Sequence, residues 1–185
     1  MIASGMKATR LQASQALKKI ISKYGSNYSF HFDRLVEKFE RKDKNYSVAA
    51  GVWAYHCTKA SILPFTGAHK LLLTLRKKGY IICVASEGKE IKQWDKLIRL
   101  GLDMSFSHVF VTNSKTKNFY KTISKKLKLS PEQILMVGDN PKKDICEAKK
   151  AGFKTARIKS SKHAKLPDTA DAKISSLQSI LRLLD

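Results

Sequence analysis

The chain has 185 residues, enough for one domain with a small subdomain, and its 43% hydrophobic content excludes a chain that is disordered throughout. It carries 36 Lys and Arg against 15 Asp and Glu, which gives a formal net charge of +21. So large an excess repels itself unless an anionic partner neutralises it, which makes nucleic acid the leading candidate partner. No apolar run reaches the roughly 20 residues of a membrane span, and no basic amphipathic anchor is evident, so no membrane partner is expected.

The cysteines indicate a reducing compartment. Cys57, Cys83 and Cys146 are odd in number, far apart and without a C-x-x-C pair. They are typical of small buried hydrophobic residues, not of a disulfide or zinc framework. A cytoplasmic location is therefore predicted.

The first 60 residues are predicted to form a small helical subdomain. Apolar residues recur at helical spacing in three segments, which are residues 7–21, a stretch around 32–39, and residues 47–60. Gly25 and a charged loop near residue 43 separate these segments.

Helices and strands alternate from residue 61 onward. Strands are predicted at residues 80–85, 108–111, 134–137, 154–158 and 172–174. Helices are predicted at residues 68–78, 89–100, 118–127, 143–151 and 177–184. Strands that alternate with helices of this length predict an α/β fold with a parallel sheet and right-handed crossovers.

The run 134–144 has the pattern of a magnesium site. An apolar strand ends in Gly138-Asp139, and a second carboxylate, Asp144, follows five residues later. Mg²⁺ prefers carboxylate oxygens and retains several waters, so two carboxylates at the carboxyl end of a strand suit it. Alternatively, Asp139 caps the following helix or pairs with a lysine such as Lys142.

The chain resembles the haloacid-dehalogenase-like hydrolases, and within them archaeal members, through segments 24–28, 54–56, 93–102 and the Gly138-Asp139 run. The resemblance implies a Rossmannoid parallel α/β core over residues 61–185. It also implies that residues 1–60 are a small helical cap. Each segment alone is a weak signal, whereas the combination is specific.

Four motifs carry the chemistry of that family, and the resemblance matches them unequally. Ser86 matches the Ser or Thr that hydrogen-bonds the phosphoryl oxygens, although it is also placed to be the N-cap of the next helix. Lys115 is an uncertain match to the lysine that neutralises the phosphate, because its loop is short and lacks the usual proline. Asp139 and Asp144 match the metal pair. The first motif, a D-x-D-x-T strand with the attacking aspartate, has no match, since no D-x-D occurs in the sequence.

The lack of a match to the first motif also affects the predicted sheet, because that motif includes one of its strands. In the family its strand lies between the strands that correspond to residues 80–85 and 134–137. Without it, backbone groups in the interior would lose their partners. The sequence leaves open whether these strands close up, another segment fills the gap, or a partner supplies a strand.

Basic residues concentrate in the second half of the chain. Residues 114–165 include 15 basic and 4 acidic residues, hence +11 of the total +21. Lysines act as point charges on phosphates, so their dominance predicts binding to the backbone and shape of structured RNA. The predicted RNA-binding residues are Lys115, Lys117, Lys121, Lys125, Lys128, Lys142, Lys143, Lys149, Lys150, Lys154, Arg157, Lys159, Lys162, His163 and Lys165.

These features together predict a catalytically inactive relative of the family that binds structured RNA, most simply ribosomal RNA in an archaeal-type ribosome, beside neighbouring ribosomal proteins. No small-molecule substrate and no cofactor are expected, apart from weak residual Mg²⁺ at Asp139 and Asp144. One alternative is an active Mg²⁺-dependent phosphatase whose D-x-D-x-T strand is missing from this chain. Another is a protein-binding scaffold in which a partner completes the sheet.

Overall fold

The computed structural model describes residues 8–25, 28–39, 43–160, 163, 166–167 and 169–184. The chain divides into two compact units, one up to Leu63 and the other from Pro64 onward. None of the helices in these described ranges is long and apolar enough to cross a membrane.

The first unit is helical. Its helices are α1 (Arg10–Tyr24), α2 (His31–Lys38) and α3 (Lys44–Ala60). Helix α1 begins with a capping box, in which the Thr9 hydroxyl accepts from the Gln12 amide and the Gln12 side chain accepts from the Thr9 amide. Buried Ala16 of α1 and Leu35 of α2 form the centre of a small apolar cluster.

The second unit alternates strands and helices. Its strands are β1 (Cys83–Glu87), β2 (His108–Thr112), β3 (Leu135–Gly138), β4 (Lys154–Ile158) and β5 (Ala172–Ile174). Its helices are α4 (Ala68–Lys77), α5 (Glu90–Arg99), α6 (Lys117–Leu127) and α7 (Glu147–Lys150). A π-helical turn, Pro141–Cys146, leads into α7, and a 3-10 segment, Leu177–Leu183, closes the chain.

All strand pairs are parallel, and the strands form two sheets. In the described part of the chain, β1 pairs only with β2, and the other sheet has the order β3-β4-β5. The division between β1 and β3 falls where the resemblance places the family's first strand. No described strand fills that position.

Strand β3 separates two apolar clusters because its side chains alternate between the faces of the sheet. Met136 packs on the cluster built from Tyr120 of α6 and Ala148 of α7. Leu135 and Val137 pack on the opposite cluster, which contains Leu71 and Leu75 of α4, Ile174 of β5 and Ile180 of the 3-10 segment. The unit is therefore a three-layer α/β/α core, as the sequence predicts.

Several predicted boundaries differ from the structure by a few residues, and two of these differences have a clear physical cause. Strand β1 begins at Cys83 and not at residue 80, because the Tyr80 amide donates to the Leu75 carbonyl (3.1 Å) and closes α4. The predicted helix at 143–151 begins as a π-helical turn, in which the Asn140 carbonyl accepts from both Asp144 (2.9 Å) and Ile145 (3.2 Å). Such turns occur often at functional sites.

Candidate active site

A buried ion pair lies at the carboxyl ends of β2 and β3. The Lys115 Nζ donates to Asp144 Oδ1 at 2.7 Å, and the two side chains are only 12% and 8% exposed. Lys115 comes from the loop after β2, and Asp144 from the turn after β3. The carboxyl ends of parallel strands meet at one edge of a sheet, which is where open α/β folds bind their ligands.

Glu87, the last residue of β1, connects the two sheets. Its carboxylate accepts from the Lys115 amide at 3.2 Å and forms an ion pair with Lys143, which lies in the turn after β3. Burial alone would raise the pKa of the Glu87 carboxyl, but the hydrogen bonds from Lys143 and Lys115 and their charges lower it overall. Glu87 is therefore held as a carboxylate that fixes the loop carrying Lys115.

Ser86 precedes Glu87 and lies on the same edge. Its hydroxyl donates to the Gln93 side-chain carbonyl at 2.9 Å. The Gln93 side-chain nitrogen, Nε2, donates to the Glu87 backbone carbonyl at 3.3 Å. Helix α5 has Lys89 as its N-cap, without a side-chain cap. Ser86 is thus not the helix cap that the sequence left open, and its hydroxyl lies at the end of β1.

Asp139 follows β3 and is the more accessible carboxylate of the pair. Its side chain is 43% exposed, and its Oδ2 lies 4.0 Å from His163 Nε2. The cap of the following turn is Asn140, whose Oδ1 accepts from the Lys142 and Lys143 amides at 3.1 and 3.0 Å. Asn140 also donates its own amide to Asp144 Oδ2 at 3.1 Å. Asn140, and not Asp139, therefore caps the turn, and the Asp139 carboxylate remains accessible to a ligand.

Gly138 is required by close packing. A Cβ at this position would lie 2.5 Å from Asp144 Cβ and 2.6 Å from Asp144 Oδ2. Only a residue without a side chain lets the turn bring Asp144 against the end of β3. The glycine before Asp139 therefore places the second carboxylate as well.

Tyr120 contacts the π-helical turn that carries Lys143 and Asp144. It is fully buried in α6, and its hydroxyl donates to the Lys143 carbonyl at 3.0 Å. Burial, and after it the negative charge of Asp144, raises the pKa of the Tyr120 phenol. The phenol is thus a permanent donor that holds the turn carrying Lys143 and Asp144.

The donors in this site fit a magnesium ion. Within the described ranges no cluster of three or more His, Cys, Asp or Glu side chains could enclose a metal. Mg²⁺ does not need such a cluster, because it is commonly held by one or two carboxylates, with waters and substrate phosphate completing its shell. The open Asp139 carboxylate, with Asp144 behind it, provides this donor set.

The structure separates the predicted RNA-binding residues. Four lysines are in ion pairs, namely Lys115 with Asp144, Lys143 with Glu87, Lys149 with Asp171, and Lys150 with Glu147. Arg157 is 8% exposed and donates to the backbone carbonyls of His163 and Leu166, and the His163 ring lies 4.0 Å from Asp139. The other described members are exposed lysines, namely Lys117, Lys121, Lys125, Lys128, Lys142, Lys154 and Lys159. Lys162 and Lys165 lie outside the described residues.

Comparison with known proteins identifies the family. Residues 4–158 match the model of the haloacid dehalogenase-like hydrolases. The chain is 37% identical to the glyceraldehyde 3-phosphate phosphatase of Pyrococcus furiosus, over all of this chain and 81% of that protein. It is 35% identical to the glyceraldehyde 3-phosphate phosphatase of Methanocaldococcus jannaschii, over all of this chain and 84% of that protein. The chain belongs to the haloacid dehalogenase-like hydrolases.

Solved structures agree on the fold. A haloacid-dehalogenase-like hydrolase from Xanthomonas campestris superposes with a TM-score of 0.72 at 15% identity, over the whole of this chain and 80% of that one. A phosphatase of the same superfamily from Thermococcus onnurineus superposes with a TM-score of 0.64 at 18% identity, over 94% of this chain and 88% of that one. The predicted family and α/β fold class are confirmed.

The predicted function is wrong. The relatives are named phosphatases that act on a small phosphorylated molecule, against the expectations of a non-enzymatic protein, of RNA and ribosomal partners, and of no small-molecule substrate. The expectation of no cofactor is wrong as well, because phosphatases of this family depend on Mg²⁺. Formal charge was misleading because it does not show which anion neutralises it, and a small phosphorylated molecule is an anion as well as RNA. The charge is also not one continuous basic surface, since four of the predicted lysines each pair with a carboxylate.

Three residues that position the site were not identified from the sequence. Glu87 follows Ser86 at the end of β1, so the same strand-end signal could have indicated it. Asn140 occupies an N-cap position before a proline, which is a recognisable capping pattern. Tyr120 had no such signal, because its contact with Lys143 spans 23 residues of chain.

Proposed function

We propose that this protein is a Mg²⁺-dependent phosphatase of a small phosphorylated compound, of the same class as glyceraldehyde 3-phosphate. The observation that carries this proposal is the buried Lys115–Asp144 pair beside the open Asp139 carboxylate. It puts a cation and two carboxylates at the edge of the sheet where β1, the strand that carries Ser86, also ends. The names of the five most similar relatives among those found support the choice of substrate class.

The described residues bind and orient the phosphoryl group. The Lys115 ammonium neutralises charge on the phosphoryl oxygens, and burial strengthens that interaction because little water screens it. The Ser86 hydroxyl, which can exchange Gln93 for a phosphoryl oxygen, donates a hydrogen bond at the end of β1. Glu87 positions both by holding the Lys115 loop against β1.

Asp139 and Asp144 would hold the magnesium ion. When bound, the ion supplies positive charge that stabilises the phosphoryl oxygens in the transition state. Asp139 offers the accessible carboxylate. Asp144 accepts hydrogen bonds from Lys115 and from the Asn140 amide, so its carboxylate is held in position before the ion binds.

The attacking carboxylate is not among these residues. Covalent phosphoryl transfer needs a nucleophile, and residues 1–185 contain no D-x-D pair. The proposal therefore requires that an attacking carboxylate reach the division between β1 and β3. Lys115 lies at this division, since its amide donates to Glu87 and its ammonium to Asp144.

The decisive experiment combines intact mass and activity. The protein is isolated from its native source, its mass is compared with that of residues 1–185, and release of phosphate from glyceraldehyde 3-phosphate is measured with Mg²⁺ and with excess chelator. We expect chelator-sensitive turnover by the native protein, lowered at least about 100-fold by Asp139→Asn or by Lys115→Gln. Lys117→Gln, which removes an exposed lysine two residues away, is the matched control and should retain activity.

Two results would contradict the proposal. One is a native protein that releases no phosphate from glyceraldehyde 3-phosphate or related monoesters with Mg²⁺ present. The other is turnover that Asp139→Asn leaves unchanged.

We also propose that the protein acts in the cytoplasm. Cys57, Cys83 and Cys146 are all free thiols, and Cys57 is exposed. An exposed free thiol suits a reducing compartment. Oxidation of the native protein to a mixture of disulfide-linked forms on isolation without oxidant would argue against it.

A further inference from the structure

Helix α5 buries an amide side chain against the end of β1. Gln93 is 8% exposed, and the other buried residue of α5 is Leu97, which is aliphatic. Burying an amide costs free energy unless its donors and acceptors find partners, whereas an aliphatic side chain has no such requirement. The partners of Gln93 therefore indicate why an amide occupies this position.

The Gln93 side chain connects three groups by hydrogen bonds. Its Oε1 accepts from the Ser86 hydroxyl at 2.9 Å and from the Lys96 ammonium at 3.2 Å. Its Nε2 donates to the Glu87 backbone carbonyl at 3.3 Å. An amide oxygen has two lone pairs, so both are used in this arrangement. Gln93 thus contacts the two residues that end β1, one through its hydroxyl and the other through its backbone.

Two of these partners fix the orientation of the amide. An ammonium only donates and a backbone carbonyl only accepts, so Lys96 requires the oxygen of Gln93 and Glu87 requires its nitrogen. Turning the amide by 180° would place Nε2 against the Lys96 ammonium and Oε1 against the Glu87 carbonyl, and both contacts would be repulsive. Ser86 therefore faces an oxygen, to which it donates its hydroxyl hydrogen.

The direction of the Ser86 hydroxyl affects the binding of a phosphoryl group. The oxygens of a phosphate dianion carry no hydrogen, so Ser86 can donate to one of them only by giving up Gln93. A buried acceptor that loses its donor is costly. The Lys96 ammonium lies on the same oxygen of Gln93, so that oxygen keeps a donor after Ser86 has turned away.

We propose that Gln93 is a positioning residue for phosphoryl transfer, which rests on the proposed function, and that Lys96 assists it. In the free protein Gln93 holds the Ser86 side chain at the end of β1 by accepting its hydroxyl hydrogen. When a phosphoryl group binds, this hydrogen turns to a phosphoryl oxygen by rotation about the Cβ–Oγ bond, and the Ser86 oxygen stays in place. Gln93 acts through Ser86 and does not itself contact the substrate.

A double-mutant cycle tests whether Gln93 acts through Ser86. The natural protein, Ser86→Ala, Gln93→Leu and the double variant are compared in kcat/KM for phosphate release from glyceraldehyde 3-phosphate with Mg²⁺. Gln93→Leu alone should lower kcat/KM about tenfold, because Ser86 loses the acceptor that orients it. With Ser86 already Ala, the same change should cost less than about twofold, since no hydroxyl is left to orient. Effects that multiply in the double variant would overturn the inference, because a purely structural loss is independent of Ser86.

A second variant covers the case in which Gln93→Leu does not fold. Gln93→Met has a similar length, no amide and a flexible apolar side chain that fits irregular space. The cycle with Gln93→Met should give the same pattern, and effects that multiply with Ser86→Ala would again overturn the inference.

Lys96 is tested by a cycle of its own. Lys96→Met removes the ammonium and should raise KM about threefold, because the Gln93 oxygen then loses its remaining donor when Ser86 turns to the phosphate. In the Gln93→Leu background the same change should leave KM unchanged. Lys92→Met, on the same helix, is the control for the loss of one charge and should change KM less than about 1.5-fold. An equal effect of Lys96→Met in both backgrounds would show that Lys96 acts by charge alone, against the inference.

A spectroscopic measurement is independent of turnover. The side-chain amide resonances of Gln93 are followed by NMR as inorganic phosphate is added with Mg²⁺ present. We expect a saturable change in the natural protein, because the Ser86 hydroxyl leaves Oε1, and a much smaller change in Ser86→Ala. Equal changes in the two proteins would overturn the inference.

The inference and the proposed function fail in different ways. Lack of turnover by the natural protein would contradict the phosphatase proposal, and the NMR comparison would still decide whether Gln93 releases Ser86 to phosphate. Turnover by the natural protein that Gln93→Leu leaves unchanged would contradict the inference alone.

Discussion

Glu87 at the end of β1 and Lys143 in the turn after β3 form an ion pair across the division between the two sheets. No backbone hydrogen bonds join β1 to β3 in the described ranges, so side chains connect the two strand ends there. Lys115 completes this connection, since its amide donates to Glu87 and its ammonium to Asp144. The residues of the candidate site thus also connect the two sheets.

Replacing Glu87 by Gln should therefore impair activity more than stability. The ion pair is partly exposed, at 49% for Lys143 and 27% for Glu87, so its loss should lower the free energy of unfolding by only about 1 kcal/mol. Turnover should fall at least about tenfold, because Gln has one acceptor oxygen and cannot hold both the Lys115 amide and the Lys143 ammonium as Glu87 does. Glu90→Gln, on the exposed first turn of α5, serves as the control in urea unfolding and in phosphate release. Equal kinetics for the two variants would contradict a positioning role for Glu87.

Asp144→Asn should destabilise the protein far more than Asp139→Asn. The Asp144 side chain is 8% exposed and paired, so its neutralisation leaves the Lys115 ammonium buried without a counter-charge. Breaking a buried pair in this way costs about 3 kcal/mol. Asp139 is 43% exposed, and its substitution should change the unfolding free energy by less than about 0.5 kcal/mol. Urea titrations of the two variants test the difference, and similar midpoints would show that the Lys115–Asp144 pair is not a buried structural element.

Gly138→Ala should act through Asp144. The added methyl group would lie 2.5 Å from Asp144 Cβ, so the turn must shift, at a cost of about 1–3 kcal/mol. A double-mutant cycle tests the contact, because Gly138→Ala should cost much less when Asp144 is already Gly and its Cβ is absent. If the losses in unfolding free energy of the two single variants simply add in the double variant, the effect of Gly138→Ala does not come from its contact with Asp144.

Tyr120→Phe should remove the donor that holds the Lys143 carbonyl. This bond is 3.0 Å long and Tyr120 is fully buried, so the carbonyl would lose its partner at a cost of about 1–2 kcal/mol. Tyr80→Phe is the matched control, because Tyr80 makes a similar bond to the Leu184 carbonyl but is 38% exposed. We expect a change below about 0.5 kcal/mol for that variant, since water replaces the lost donor. Thermal unfolding of both proteins measures the contrast.

Asp171 should make the free energy of unfolding depend on pH in the acid range. Hydrogen bonds from Lys149 and Thr155 lower the pKa of its carboxyl from 3.8 to about 2. A carboxyl with a lower pKa in the folded state adds stability above its unfolded pKa and loses it as the pH falls. The contribution is thus complete at pH 7 and disappears between about pH 4 and pH 2, and since the side chain is 46% exposed it is about 1 kcal/mol or less.

Asp171→Asn tests this contribution. The variant should be less stable than the natural protein at pH 7 and equal to it near pH 2, as measured by urea midpoints across that range. A difference that is constant with pH would exclude titration of Asp171 as its cause.

The secondary structure could be predicted closely because it follows from local patterns. The alternation of short apolar runs with helical periodicity located the five strands of the described residues, and parallel pairing follows from the helices between them. The two carboxylates after the third apolar run indicated Asp139 and Asp144, and the resemblance to the family indicated Ser86. The start of β1 was missed because the Tyr80 amide is used to close α4.

Function was harder to predict because a count of charged residues does not show where the fold places them. The lysines of residues 114–165 were counted as one basic surface, but the fold pairs Lys115, Lys143, Lys149 and Lys150 with carboxylates and buries Arg157. The same fold gathers Arg157, Lys159 and Lys173 around one cavity. Neither outcome follows from composition.

The sequence by itself determined the order of helices and strands, the family and the strand ends that carry the candidate site residues, since these depend on residues close together in the chain. Tertiary structure decided which lysine meets which carboxylate, because Lys115 and Asp144 are 29 residues apart and Glu87 and Lys143 are 56 apart. Such pairs form only when parallel strands bring their carboxyl ends to one edge. The strength of each pair then depends on burial, which only the packed core sets.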